Sequence, residues 1–245
     1  MDSMELYNIS ERYMELINPC SGEKILKIGA AMHLGPRSRV IEFGCGFGEV
    51  LAIWAEAYGI GGVGIDVREH ACERARQKMA ARGLADRIEI VCGKGAEYAF
   101  EPGAFDAAAC IGASFIWGGF GETIAGMRGA IGPEGRLALG EPYWLSSRVP
   151  PEYVRQEPFH HEHELLALSR EAGFDWEYAV RASHDDWDAY EATNWRGLVW
   201  WIEHHPDHPD RQQVIEYLHR SQEEYTRYGR EFLGWAIYVL RKQSY

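Results

Sequence analysis

The chain has 245 residues, 46% of them hydrophobic, which suits one domain with a sizeable core and room for an insertion. Its formal net charge is -12 with no Lys/Arg cluster, so it lacks the electrostatic footprint of a nucleic-acid or anionic-membrane binder. No apolar run is long enough to predict a transmembrane helix, and the acidic, amphipathic start lacks a signal core. Five scattered cysteines without a C-x-x-C pair predict reduced thiols and a cytoplasmic protein.

In chain order, residues 10–34 read as helical in two pieces, broken near Asn18 and Pro19. Ser21 is the expected N-cap of the second piece, and Gly35-Pro36 its stop. Residues 39–43 read as a short buried strand, 49–58 as a helix, 62–65 as a second strand and 67–82 as a charged helix ended by Gly83. Strands follow at 88–91 and 105–111, a helix at 125–131 stopped by Gly132-Pro133, and a fifth strand at 135–140. Beyond residue 145 the spacing predicts a helix over 162–172, a strand over 174–180, a largely helical stretch over 183–232 and a closing strand over 234–240. Short connections between alternating strands and helices imply βαβ units. The expected fold is therefore α/β, a mostly parallel seven-stranded sheet with helices on both faces and a helical cap inserted before the last strand. Within a single domain over 1–245, residues 1–35 would be N-terminal helices, 36–182 and 233–245 the α/β core, and 183–232 the cap.

The stretch VIEFGCGFGEV, residues 40–50, carries the first functional signal. An apolar strand ends in Glu42, and Gly44, Gly46 and Gly48 follow at every second position. Glycine permits positive φ and lets a ligand approach the backbone, so a strand–turn–helix corner of this kind favours nucleotides. The next strand ends in Asp66, where a carboxylate can accept both hydroxyls of a ribose. The G-x-G-x-G spacing differs from the G-x-G-x-x-G of dinucleotide dehydrogenases, so a nicotinamide-dependent oxidoreductase is the weaker alternative.

E-F-G-C-G-F-G followed by V-G-I-D resembles motifs one and two of the class I S-adenosylmethionine-dependent methyltransferases, with the type 11 group and its ubiquinone- and menaquinone-methylating relatives as the general match. The resemblance spans about residues 36–145, and GPEGRLALGEP (132–142) stands in the place of that family's L-K-P-G-G-x-L segment. EPYW (141–144) and GASFIWGGF (112–120) are similar to a small bacterial subgroup. The resemblance implies a Rossmann-like fold, S-adenosylmethionine as cofactor and S-adenosylhomocysteine as product. It also implies that Glu42, Gly44, Cys45, Gly46 and Gly48 face the methionine part of the cofactor, that Asp66 binds the ribose with Val67 beside the adenine, and that Gly93, Lys94, Gly95 and Ala96 line the adenine edge. Cys110, Ile111 and Gly112 would lie near the transferred methyl. Many relatives carry an acid where Lys94 stands; a cation cannot accept a hydrogen bond from the adenine amino group, so Glu97 or backbone groups would serve there.

Methyl transfer from a sulfonium needs alignment and exclusion of water, and a base only when the acceptor carries a proton of high pKa. Loops at the carboxyl ends of strands four and five should supply acceptor residues. Glu141 is the candidate base and Tyr143 its companion; Ser114, Trp117, Trp144 and Trp195 are candidate acceptor contacts, with core packing as the plainer role of the aromatics. Their character favours a small aromatic or apolar acceptor. Four of the nine tryptophans fall in 187–201, which fits an aromatic lid over the strand ends, a homodimer surface being the other reading. The histidines of FHHEH (159–163) and EHHPDHPD (203–210) lack zinc-site spacing, so no metal is expected. A non-catalytic S-adenosylmethionine-binding module is the rival from another class.

Overall fold

The computed structural model describes residues 1–155 and 159–244. Seven strands form one sheet: β1 (Arg39–Phe43), β2 (Gly61–Asp66), β3 (Ile88–Cys92), β4 (Phe105–Ile111), β5 (Ile131–Trp144), β6 (Phe174–Arg181) and β7 (Leu233–Lys242). Their order across the sheet is β3-β2-β1-β4-β5-β7-β6, with β7 antiparallel to both neighbours and β1 to β5 parallel. The order reverses direction between β1 and β4, which creates a crevice at the carboxyl ends of those strands. The short central strands are buried on both faces, and their largely apolar character, broken in β1 by Glu42, follows from that.

Helices α2 (Gly22–Ala31), α3 (Glu49–Tyr58) and α4 (Glu69–Ala81) cover one face of the sheet. Ser21 caps α2 through the Lys24 amide, and Trp54 on α3 is fully buried with its indole N–H donated to the Ile25 carbonyl at 2.8 Å. Helices α5 (Phe120–Met127) and α7 (Glu162–Glu171) cover the other face, around Phe43, Phe120, Ile124 and Leu165. A single turn, α6 (Pro151–Val154), lies before α7.

Three expectations shift. The first helical piece is α1 (Ser3–Ser10), followed by a short 3-10 turn, because Asp2 and Glu5 form a reciprocal capping box that starts the helix early. The helix expected over 125–131 is α5, which ends at Met127; Ile131 already pairs with Phe105 on β4. Beta five is correspondingly long, with a register break against β4 that absorbs the Gly132–Gly135 turn.

The segment over 183–232 is helical as expected: α8 (His184–His204), α9 (Arg211–Glu224), a π-helical turn (Tyr225–Gly229) and α10 (Arg230–Phe232). Ser183 and Asp186 cap α8 reciprocally. This segment does not stand alone. Leu198, Trp201, Val214 and Leu218 bury themselves with Leu6 of α1 in a separate small core. Gly197 lets α8 lie directly on α1, since a methyl there would meet the Ser10 and Ile9 carbonyl oxygens at 2.5 and 2.6 Å. Arg12 stacks on Trp200 at 3.3 Å and Arg196 on Tyr13 at 4.5 Å, which closes the rim of that small core. Tyr245, the end of the expected core range, lies outside the described residues.

Candidate functional site

A cavity of about 910 Å³ opens above the carboxyl ends of β1, β2 and β4, and α1, α8 and α9 contribute its upper wall. Its floor is the glycine turn. Gly44, Gly46 and Gly48 have φ of +71°, +52° and +70°, in the left-handed region that costs a side chain most. A methyl on Gly44 would also collide with Ala113, and one on Gly46 with Ile17 at 2.7 Å. Gly48 plays another part: it N-caps α3 and lets Met79 of α4 approach, and it does not line the cavity.

Asp66 sits at the end of β2, nearly buried, with its two carboxylate oxygens accepting the Gly46 and Arg68 backbone N–H groups at 2.9 Å each. These bonds fix the carboxylate plane and leave each oxygen a further lone pair toward the cavity. Arg68 approaches Asp66 at 3.6 Å and Glu11 at 2.7 Å, so the segment after α1 is tied to the site by charge. Burial pushes the Glu11 carboxyl above its ordinary value, although Arg68 opposes the shift. Glu42 is 2% exposed, and its Oε2 has no hydrogen-bond partner. Burial, then the charge of Asp66, hold its pKa well above the usual carboxylate range. An orphaned, buried carboxyl oxygen is costly, so it marks a place where a polar group belongs.

The structure brings Glu42, Gly44, Cys45, Gly46, Asp66, Val67, Lys94, Gly95, Ala96, Ile111 and Gly112 around the cavity. Val67 is 54% exposed there, an apolar side chain held out beside the Asp66 carboxylate. Lys94 pairs with Glu97 at 2.8 Å on an exposed edge. Gly93 and Cys110 do not line the cavity; the Gly93 amide donates to the Asp66 carbonyl, and Cys110 is buried in the core beneath α5.

The acceptor candidates fare worse, for one geometric reason. Side chains alternate along β5, and Pro142 is the residue that faces the cavity. Glu141 therefore points to the opposite face, where it accepts the Ser114 hydroxyl at 3.0 Å, and neither residue lines the cavity. Burial pushes the Glu141 carboxyl up to about 7. Tyr143 is packed over Gly234 with Glu162 and Arg181 near its phenol, on a second hollow away from the crevice. Trp117 lies edge-on to Phe43 at 4.9 Å and against Gly126 in the core, and Trp144 packs on Tyr153 and Phe159. Trp195 packs edge-on to Tyr225 behind the cavity wall. The aromatics that do face the cavity from the cap are Trp187, Tyr190, Tyr217 and Tyr225. Among the described residues, no group of three or more His, Cys, Asp or Glu side chains could hold a metal ion; His161 and His163 simply stack at 5.7 Å.

Residues 40–135 match the model of a methyltransferase domain. Along its whole length the chain is similar to the uncharacterized protein YjhP of Escherichia coli (strain K12), 30% identical over 98% of this chain and 99% of that one. It is also similar to two solved S-adenosylmethionine-dependent methyltransferases in complex with S-adenosylhomocysteine. The protein from Thiobacillus denitrificans is 34% identical with a TM-score of 0.91, over 99% of this chain and 100% of its own. The one from Geobacter sulfurreducens is 34% identical with a TM-score of 0.91, over 98% of each.

The chain is a class I S-adenosylmethionine-dependent methyltransferase.

The methyltransferase fold accounts for the crevice, but several of its wall residues lie outside the motifs that carried the resemblance. Glu11 and Asn18 come from the N-terminal segment; the Asn18 side chain presses over Gly112, whose φ of +81° and missing Cβ make room for it. Arg68 follows Asp66 by two positions and was visible only as part of a charged helix start. Glu191 lines the cavity from α8 beside Trp187 and Tyr190, two rings of the aromatic stretch expected to form a lid, whereas Trp195 of the same stretch does not.

Proposed function

We propose that the methyltransferase holds S-adenosylmethionine in the half of the cavity between the glycine turn and Asp66 and methylates a small molecule held in the half beneath α8 and α9. One observation carries this reading: a single cavity is lined at once by Asp66 and Glu42 and by side chains of the cap helices. The cofactor half has the right chemistry for the group. Asp66 offers two acceptor positions to a ribose diol, exposed Val67 offers an apolar face to a purine, and the orphan Glu42 Oε2 suits the ammonium of the methionine part. Gly44, Gly46 and Gly112 would present bare backbone to the ligand, with Ile111 beside them.

The cofactor supplies an activated methyl on a neutral leaving group. The chain's own part is to hold the acceptor in line with that methyl and keep water away. No carboxylate need be ionised for this, which fits the placement of Glu141 behind the cavity wall. The cap helices act as a lid: Trp187, Tyr190, Leu198 and Tyr217 roof the cavity, and α1 already occupies the outer groove between α8 and α9. That arrangement favours a lid over a homodimer surface for this segment. All five cysteines are free thiols, which fits the cytoplasm.

The test is calorimetric titration with S-adenosylmethionine, S-adenosylhomocysteine and NADH, beside an Asp66→Ala variant. Micromolar binding of the first two is expected, weakened about 10- to 100-fold in the variant through loss of charged hydrogen bonds. Preference for NADH, or an unchanged affinity in the variant, would refute the assignment of Asp66. Absence of turnover with every acceptor of a broad small-molecule screen would point to a binding module.

A further inference from the structure

The cap half of the cavity carries an electrostatic asymmetry. The wall of the whole cavity has seven carboxylates and two cations. Three of the carboxylates are answered: Glu11 pairs with Arg68, Glu15 with Lys78, and Glu49 with Lys78 and Arg82. Glu42 and Asp66 belong to the cofactor half. Glu191 of α8 and Glu224 at the end of α9 remain, and neither has an ion-pair or hydrogen-bond partner among the described residues. Arg68 is committed to Glu11 and Asp66, and Lys94 stands at the far edge with Glu97.

These two carboxylates are set among rings. Tyr190 stands one residue before Glu191, and Tyr225 one residue after Glu224 at the start of the π-helical turn, a local widening of the kind that recurs at binding sites. The Tyr225 phenol donates to Asp188 at 2.7 Å, which holds its ring in place, and Tyr217 and Trp187 complete the wall. The Trp187 indole N–H is buried without a partner, and as a donor it calls for an acceptor atom elsewhere on the same ligand. Burial, and then the charge of Glu224, push the Glu191 carboxyl up to about 7, as expected for two acids with no cation between them.

We propose that the acceptor carries an ammonium group, seated between Glu191 and Glu224 within the tyrosine and tryptophan faces of the cap. Carboxylates and π-faces together select cations, and neither favours a neutral or anionic group. A protonated nitrogen has no lone pair, so this group is the handle of the acceptor and not the attacking atom. The inference deepens the small-molecule reading and rests on it. It adds a positive charge to the expectation of an aromatic or apolar acceptor, whose rings Trp187, Tyr190, Tyr217 and Tyr225 would still face.

The test uses ligand-observed NMR titrations on the full chain saturated with S-adenosylhomocysteine. The probes are choline, phenethylamine and tyramine, each paired with its neutral counterpart: 3,3-dimethylbutanol, 2-phenylethanol and tyrosol. At least one ammonium probe is expected to bind about tenfold tighter than its alcohol. Glu191→Gln combined with Glu224→Gln should erase that preference while leaving S-adenosylhomocysteine affinity unchanged by calorimetry. Alcohols that bind as well as amines, no binding by any ammonium probe, or a preference that survives the double variant would overturn the proposal. Loss of S-adenosylhomocysteine binding by the unaltered chain would instead strike the cofactor assignment.

Discussion

Glu141 shows how a single side chain can be conspicuous for the wrong reason. The folded carboxyl keeps its proton up to about pH 7, whereas the unfolded one loses it near the ordinary 4.5. Stability therefore falls as pH rises from about 4.5 to 7, and the full penalty stands above 7. Glu141→Gln keeps an acceptor for the Ser114 hydroxyl and removes that penalty. It should stabilise the protein by on the order of 2–3 kcal/mol at pH 8 and by nothing near pH 4, read as denaturation midpoints at the two values. Equal midpoints at pH 8 would mean that the carboxylate is well solvated. The sequence placed this acid in a loop just after the fifth strand, whereas it lies within β5, paired with Ala236 of β7. Its facing could not be read, because alternation assigns a face only once one residue's direction is known, and Pro142 settles that only in three dimensions. Asp66 and the glycines were legible because strand, turn and acid are all local in sequence. Glu191 was not, because its meaning depends on Glu224, on another helix.

At the level of elements, the readings that held were those with strong local punctuation. The helix over Glu49–Tyr58 lies between two glycines in the left-handed region, and β4 over Phe105–Ile111 is an apolar run between turns. Those that slipped were decided by neighbours: α5 had to finish early so that Ile131 could join β4. The contact of α1 with α8 belongs to this class, since nothing near Gly197 in sequence announces Ser10. It makes a sharp prediction. Gly197→Ala should gain about 1 kcal/mol of helix propensity, yet its methyl must push α1 away. A net loss of about 1–2 kcal/mol in urea denaturation is expected, with faster proteolytic cleavage within the first 13 residues. A net gain in stability would show that α1 is not docked as described.

Over the whole molecule, the cavity is walled by the sheet on one side and by α1, α8 and α9 on the other, so a ligand inside it ties the two together. S-adenosylhomocysteine at about 100 times its dissociation constant should add about 2.7 kcal/mol, or roughly 5–10 °C in melting temperature for a chain of this size. The Gly44→Ala variant, whose methyl fills the floor against Ala113, should melt at the same temperature with and without the ligand. A full ligand shift in that variant would move the cofactor away from the glycine turn. The strand order has a consequence in time. Beta seven sits between β5 and β6, and α1 completes its small core with helices more than 180 positions further on. On a ribosome adding about 5–20 residues per second, α1 waits on the order of ten to forty seconds for its partners. Once made, β5 and then β6 present unpaired edges to the surroundings, and the nascent chain's hazard is greatest just before β7 emerges to join them.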